Sequence, residues 1–126
     1  MKLQESGEMY LETILILSQT RKVVRSVDIA EKRGFSKPSV SRATGKLKES
    51  GYIVMNSDGH IELTDAGREI AERIYERHNV LTDLLIRIGV SPETAAEDAC
   101  RVEHVISVET FDAIKAFVKY ETEASR

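Results

Sequence analysis

The chain has 126 residues, of which 41% are hydrophobic and 31% charged, with a formal net charge of −3. That is the composition of an ordinary soluble protein with enough apolar material for one compact domain, or a small domain with an appendage. No apolar run approaches the roughly 20 residues that span a membrane, Met1-Lys2-Leu3-Gln4-Glu5 is not a signal peptide, and a single cysteine excludes an internal disulfide, so a cytoplasmic protein with a reduced thiol is expected.

From Gly7 to Gln19, apolar residues at Met9, Tyr10, Ile14 and Leu17, with Leu11, Leu15 and Ile16 filling in, predict a strongly buried first helix. Glu12 interrupts this apolar density and, three residues after Met9, shares its face. Arg21 to Arg25 reads as a short basic connection. Ser26 is the expected N-cap of a short second helix whose acidic Asp28 and Glu31 suit a helix start and which Gly34 stops. Ser36 caps a third helix, with Pro38 in its first turn, running to Gly51. Val40, Ala43 or Thr44, and Leu47 form its buried stripe, which leaves Ser39, Ser41, Arg42 and Lys46 outward.

Two short helices joined by a tight glycine turn, the second opening with small polar residues, make a helix-turn-helix. Small side chains there allow close approach to a major groove, and the helix N-terminus favours phosphate. Ile53-Val54-Met55 and His60-Ile61-Glu62-Leu63 flank Ser57-Asp58-Gly59, a strong hairpin signal. The hairpin makes the element a winged helix-turn-helix, with His60 a surface residue of the wing.

Thr64 caps a long helix, Asp65 to about Ile88, with Ala66, Ile70, Ile74, Val80 or Leu81, and Leu84 or Leu85 apolar and Arg77-His78 midway. Gly89 ends it. Ser91 and Pro92 open a run to Ile106 that reads as helical, and Ser107-Val108-Glu109 opens a last helix through Phe117 or Tyr120. The tail from Glu121 to Arg126 is expected to fray. Tyr75, Leu81, Leu84, Ile88, Phe111, Ile114 and Phe117 offer the apolar surface a helical dimer needs, though core packing can equally absorb them.

Within the run Pro92 to Ile106, Cys100, Glu103 and His104 are spaced to project from one helix face. Soft sulfur beside imidazole and carboxylate suits Fe(II), Co(II), Ni(II) or Zn(II) better than Mg or Ca. A buried small cysteine, a surface glutamate and a core-edge histidine would show the same spacing. An enzyme with Cys100 as nucleophile is disfavoured: His104, one turn away on the same helix, is badly directed as a base, and no phosphate loop or nucleophile elbow accompanies it.

The net charge conceals an asymmetry. Residues 21–50 carry nine basic and three acidic side chains (+6), whereas residues 91–126 carry four basic and eight acidic ones (−4). A basic segment inside an acidic protein is the footprint of nucleic-acid contact.

The order of winged helix, long helix with Arg77-His78, then Glu97-Asp98-Ala99-Cys100-Arg101-Val102-Glu103-His104 resembles the diphtheria toxin repressor and manganese transport regulator family of iron- and manganese-dependent repressors. Glu8-Met9-Tyr10-Leu11 and Ile29-Ala30-Glu31 extend the resemblance over residues 7 to 120. It implies a homodimer that binds palindromic operators when loaded with divalent metal and shuts off metal-uptake genes. The length matches the short form, without the SH3-like domain of longer members. The family's primary site falls on Met9, Cys100, Glu103 and His104. The ancillary site of the iron branch matches only at His78, because its other ligand positions fall on Thr82 and Ala96. The manganese branch places ligands at Met9, Glu12, His78, Cys100, Glu103 and His104, but with carboxylates where this chain has Met9 and Cys100. The chain is thus similar to a hybrid of the two, which leaves one or two metals open.

The resulting expectation is a mainly α fold with a small β-hairpin wing: a DNA-binding winged helix at residues 1–64 and a helical metal-binding and dimerisation domain at 65–126. Its expected function is a transcriptional repressor with Fe(II), favoured by the sulfur ligands, or Mn(II) as co-repressor. Ser36, Lys37, Pro38, Ser39, Ser41, Arg42 and Lys46 are its candidate DNA contacts, Ser39 and Arg42 to bases and Lys37 and Lys46 to phosphates. The alternative is a winged-helix regulator that responds to another ligand or to oxidation of Cys100.

Overall fold

The computed structural model describes residues 5–124. In chain order it has helices α1 (Glu5–Thr20), α2 (Ser26–Arg33) and α3 (Lys37–Glu49), strands β1 (Ile53–Met55) and β2 (Ile61–Leu63), and helices α4 (Asp65–Arg87), α5 (Pro92–Val102) and α6 (Val108–Ala124). This is the mainly helical architecture with a hairpin wing that the periodicity predicts. The chain packs as two compact units that divide between Arg73 and Ile74, inside α4.

In the first unit the apolar run of α1 is a central rod that touches α2, α3 and β2. Leu11, Ile14, Leu15 and Leu17 are buried on it, as are Ile29 of α2, Val40 and Leu47 of α3, and Ile53 and Ile61 of the hairpin. Each such side chain contributes on the order of 1.5–3 kcal/mol by leaving water. Thr44 rather than Ala43 completes the α3 stripe, its buried hydroxyl satisfied by the Val40 carbonyl at 3.0 Å.

The turn between α2 and α3 needs glycine: Gly34 has φ 72°, and its N–H donates to the Ala30 carbonyl at 2.8 Å. The expected N-cap at Ser26 is displaced by one residue. Arg25 is the cap, and its N–H donates to Asp28 Oδ2 at 2.9 Å, so the carboxylate, not the serine, closes the first turn. Helix α3 stops at Glu49 rather than Gly51, and the Ser50 N–H donates back to the Lys46 carbonyl at 3.0 Å.

The hairpin pairs Ile53 with Leu63, Val54 with Glu62 and Met55 with Ile61. His60 lies outside β2 because its N–H turns back to Asn56 Oδ1 at 2.9 Å. The stretch Arg21 to Arg25 is more than a connection: Ile61 donates its N–H to the Val24 carbonyl at 2.8 Å, adding a one-residue third edge to the wing. Thr64 then caps α4, accepting from the Gly67 N–H at 3.2 Å and donating to the Gly51 carbonyl at 2.7 Å. A Cβ at Gly67 would overlap the Tyr52 carbonyl oxygen, so glycine is what lets α4 start against the hairpin.

In the second unit Ile74 and Leu81 of α4, Ala95 and Ala99 of α5, and Phe111 and Val118 of α6 are buried. Gly89 ends the α4 region with φ 109°, and Ser91 caps α5 by accepting from the Thr94 N–H at 3.4 Å. The helical run predicted to Ile106 is shorter. Helix α5 ends at Val102, and Glu103 and His104 lie in the turn that follows. The cause is a side chain from α4: Arg77 Nη1 donates to the Glu103 carbonyl at 3.1 Å and to the Ile106 carbonyl at 3.2 Å, replacing the N–H donors of a further turn. At the other end α6 continues to Ala124 instead of fraying at Glu121, because Arg87 Nη2 donates to Thr122 Oγ1 at 2.7 Å. Residues 125–126 of the expected tail lie outside the described residues. Of the apolar residues offered for a dimer surface, Leu81 and Phe111 join the core, Tyr75, Leu84 and Ile114 are half-buried, and Ile88 and Phe117 stand exposed.

Candidate metal centre and nucleic-acid interface

Helix α3 presents its first two turns to solvent. Ser36, Lys37, Pro38, Ser41, Arg42 and Lys46 are exposed and Ser39 is half-buried. Capping chemistry orders this face: Ser36 Oγ accepts from the Ser39 N–H at 3.3 Å and donates to Ser39 Oγ at 2.8 Å. Arg42 Nη2 reaches the same Ser39 oxygen at 3.5 Å. Six of the seven predicted contacts therefore lie on the cap and first two turns of α3, where partial positive charge favours phosphate, whereas Lys46 lies in its last turn.

Behind that surface, α1 carries Met9, half-buried, and Glu12, 1% exposed. The carboxylate has a charged neighbour in the same unit, with Arg33 Nη2 at 3.6 Å from Glu12 Oε1. Tyr10, one residue after Met9, stacks at a tilt on Phe35 with ring centroids 5.7 Å apart. Burial raises the pKa of its hydroxyl above the ordinary value, and the Arg42 charge partly offsets that rise.

In the second unit the turn after α5 brings three ligand-type groups together. Glu103 is fully buried, and each of its carboxylate oxygens faces a histidine nitrogen: His78 Nδ1 at 2.9 Å from Oε2 and His104 Nε2 at 3.3 Å from Oε1. The side chain of His104 is 2% exposed and that of His78 25%. Cys100 lies half-buried on α5, one turn earlier. A carboxylate with an imidazole nitrogen at each oxygen, and a thiol one turn earlier on α5, are donor types that a divalent transition ion ordinarily takes. Of the six predicted metal ligands, Met9 and Glu12 belong to the first unit and His78, Cys100, Glu103 and His104 to the second.

Sequence reasoning missed the residues that hold these ligands. Arg77 is 8% exposed, grips the turn carrying Glu103 and His104 through two carbonyls, and lies 5.4 Å from the centre of the Phe111 ring. Arg77 and His78 are consecutive, so α4 holds Glu103 at both ends, backbone and carboxylate. Arg33 and Thr13 play a comparable part around α1. No local pattern marks these residues; only the adjacency of Arg77 to His78 hints at one of them.

A basic winged helix-turn-helix followed by a helical unit with a buried carboxylate–imidazole cluster defines a DNA-binding regulator of the winged-helix class. Comparison with known proteins narrows this. Residues 2–61 match the iron dependent repressor N-terminal DNA binding domain, and residues 64–125 match the iron dependent repressor metal binding and dimerisation domain. The chain belongs to the iron-dependent repressor family.

It is 37% identical over 110 residues to the transcriptional regulator MntR of Salmonella typhimurium, covering 87% of this chain and 70% of that protein. It is 35% identical over 107 residues to the iron-dependent repressor IdeR of Mycobacterium tuberculosis, covering 84% of this chain and 46% of the other. A solved manganese-dependent transcriptional repressor in complex with manganese superposes with a TM-score of 0.83 at 27% identity, over 90% of this chain and 53% of that one. The chain thus spans about half the length of that solved structure.

Proposed function

We propose that the chain is a cytoplasmic, metal-activated transcriptional repressor of metal-homeostasis genes. In this proposal residues 1–64 read DNA, while residues 65–126 bind metal and form a homodimer. The observation that supports it most is the buried Glu103 carboxylate with a histidine nitrogen at each oxygen, in a chain whose other unit is a basic winged helix.

Met9, Glu12, His78, Cys100, Glu103 and His104 form the proposed ligand set. Their sulfur content favours Fe(II), with Mn(II) the alternative, in line with an iron-dependent relative and a manganese-dependent solved structure. A bound divalent ion supplies two positive charges and a fixed coordination geometry. Glu103 would offer such an ion a carboxylate whose backbone is held by Arg77 and whose side chain is held by His78. Ligands drawn from both units let occupancy favour one arrangement of the DNA-reading surface, which is how a ligand shifts a population. In the dimer, two α3 helices about 34 Å apart would enter successive major grooves of a palindromic operator. Ser39 and Arg42 would reach bases and Lys37 and Lys46 phosphates, with Ser36, Pro38 and Ser41 permitting the close approach.

Fluorescence anisotropy tests this on labelled duplexes selected from a random pool with Mn(II) present. Affinity should rise about 10- to 100-fold with Mn(II) or anaerobic Fe(II) over chelator, the usual span of linked sites. Glu103→Gln should remove most of that rise. Equal affinity with and without metal would sink the co-repressor mechanism.

A further inference from the structure

Arg33 has no place in the proposed ligand set, yet it holds the part of α1 that carries Met9 and Glu12. It is the last residue of α2, the first helix of the helix-turn-helix. Its Nε donates to Thr13 Oγ1 at 2.7 Å, and Thr13 Oγ1 donates to the Met9 carbonyl at 2.8 Å. Its Nη2 lies 3.6 Å from Glu12 Oε1, with the carboxylate side chain 1% exposed and the arginine side chain 21% exposed. One guanidinium therefore reaches the backbone of Met9 through a hydroxyl and the carboxylate of Glu12 directly.

A buried carboxylate needs a compensating positive charge, and either a guanidinium or a cation can supply it. The two do not add freely. A divalent ion on Glu12 would sit within a few ångströms of the fixed charge of Arg33, where like charges repel strongly at low dielectric. Arginine cannot relieve that repulsion by losing its proton. It can only yield the carboxylate and keep its bond to Thr13.

We infer that Arg33 is a built-in competitor of the activating cation for Glu12, and that this competition ties metal occupancy to the helix-turn-helix. The inference rests on Glu12 being a metal ligand, as proposed above. Without metal, Arg33 fastens the end of α2 to α1 through both Glu12 and Thr13. With metal, the Glu12 tie is given up, and the bond to Thr13 is kept. A residue outside the ligand set thereby sets the metal concentration at which the protein responds.

The test is calorimetric titration of the full metal-free chain with Mn(II), with thermal unfolding alongside. Wild type is compared with Arg33→Gln, Arg33→Lys, Glu12→Gln and the Glu12→Gln/Arg33→Gln double variant. Arg33→Gln should melt lower than wild type without metal, yet bind Mn(II) about 5- to 10-fold more tightly, at the lower end of couplings between linked sites. Its metal-induced rise in melting temperature should also be larger. A purely structural arginine would give the opposite sign, since loosening α1 weakens binding. Arg33→Lys keeps the charge but loses the fork, so it should fall between the two. If Arg33→Gln does not fold without metal, tighter binding by Arg33→Lys carries the inference and equal or weaker binding overturns it. In the Glu12→Gln background Arg33→Gln should have no effect; equal tightening there would make the effect one of general charge and overturn competition. Unchanged or weaker binding by a folded Arg33→Gln overturns it as well. A wild-type chain that binds no Mn(II) removes the metal centre itself, and this inference with it.

Discussion

In the first unit, large apolar side chains that stand open among the described residues are Val23, Val27 and Val54, at 36%, 41% and 52% exposure. In the second they are Ile86, Ile88, Val105, Val108, Phe117 and Tyr120, at 41–70%. Scattered valines are ordinary on a monomer, whereas two exposed aromatics on one helix face suit an association surface. Phe117 and Tyr120 are three residues apart on α6 and so share a face. The first unit thus exposes three valines and no aromatic among these residues, while the second exposes two aromatics on one face of α6. That contrast agrees with the match of residues 64–125 to a metal binding and dimerisation domain.

The contrast can be broken most directly at α6. Phe117→Glu combined with Tyr120→Glu should raise the dimer dissociation constant at least 100-fold, since central aromatic contacts typically carry about 2 kcal/mol or more each. Light scattering after size exclusion would read this, and an unchanged mass would assign the patch to something else. A mutation in the first unit should act within the fold instead. Gly67→Ala, which drives a methyl into the Tyr52 carbonyl, should lower stability to urea by about 2–3 kcal/mol. A smaller loss, about 2 kcal/mol, is expected for Arg77→Met, which strips two carbonyls of a charged donor. Hydrogen exchange should then accelerate at residues 103–106 before it does so in the first unit; uniform acceleration would contradict a local role.

The smallest effect concerns pH. Tyr10 has a raised pKa in the fold, so the folded state favours the neutral phenol. That contribution is fully present below the unfolded value of about 10 and is lost as pH rises through the folded value. Wild type should therefore lose stability in that alkaline window and Tyr10→Phe should not. Parallel pH profiles would exclude the effect.

Local chemistry was legible where a single residue type decides a turn. Gly34, Ser36, Thr64, Gly89 and Ser91 end or start helices where their backbone freedom or hydroxyls predict. Arg25 and Asp28 show the limit of this: both a serine and a carboxylate were available to open α2, and only geometry chooses. Features set by distant partners left no trace in the pattern. The end of α5 at Val102 depends on Arg77, 26 residues before Glu103. The extra wing edge depends on Val24 meeting Ile61, and the tie on α1 depends on Arg33 meeting Thr13, 20 residues away. The donor types at Glu103 and His104 were readable from spacing, but their true setting was not. They lie in a turn held by α4, not along a helix face.

That setting has a consequence for acid–base behaviour. The clamp on the turn is an arginine, which keeps its charge at every pH a protein survives, whereas a lysine buried as deeply would shed its proton. The backbone under Glu103 and His104 is therefore gripped with the same strength in mild acid as at neutrality. The clamp itself therefore adds nothing to any pH dependence of the metal response.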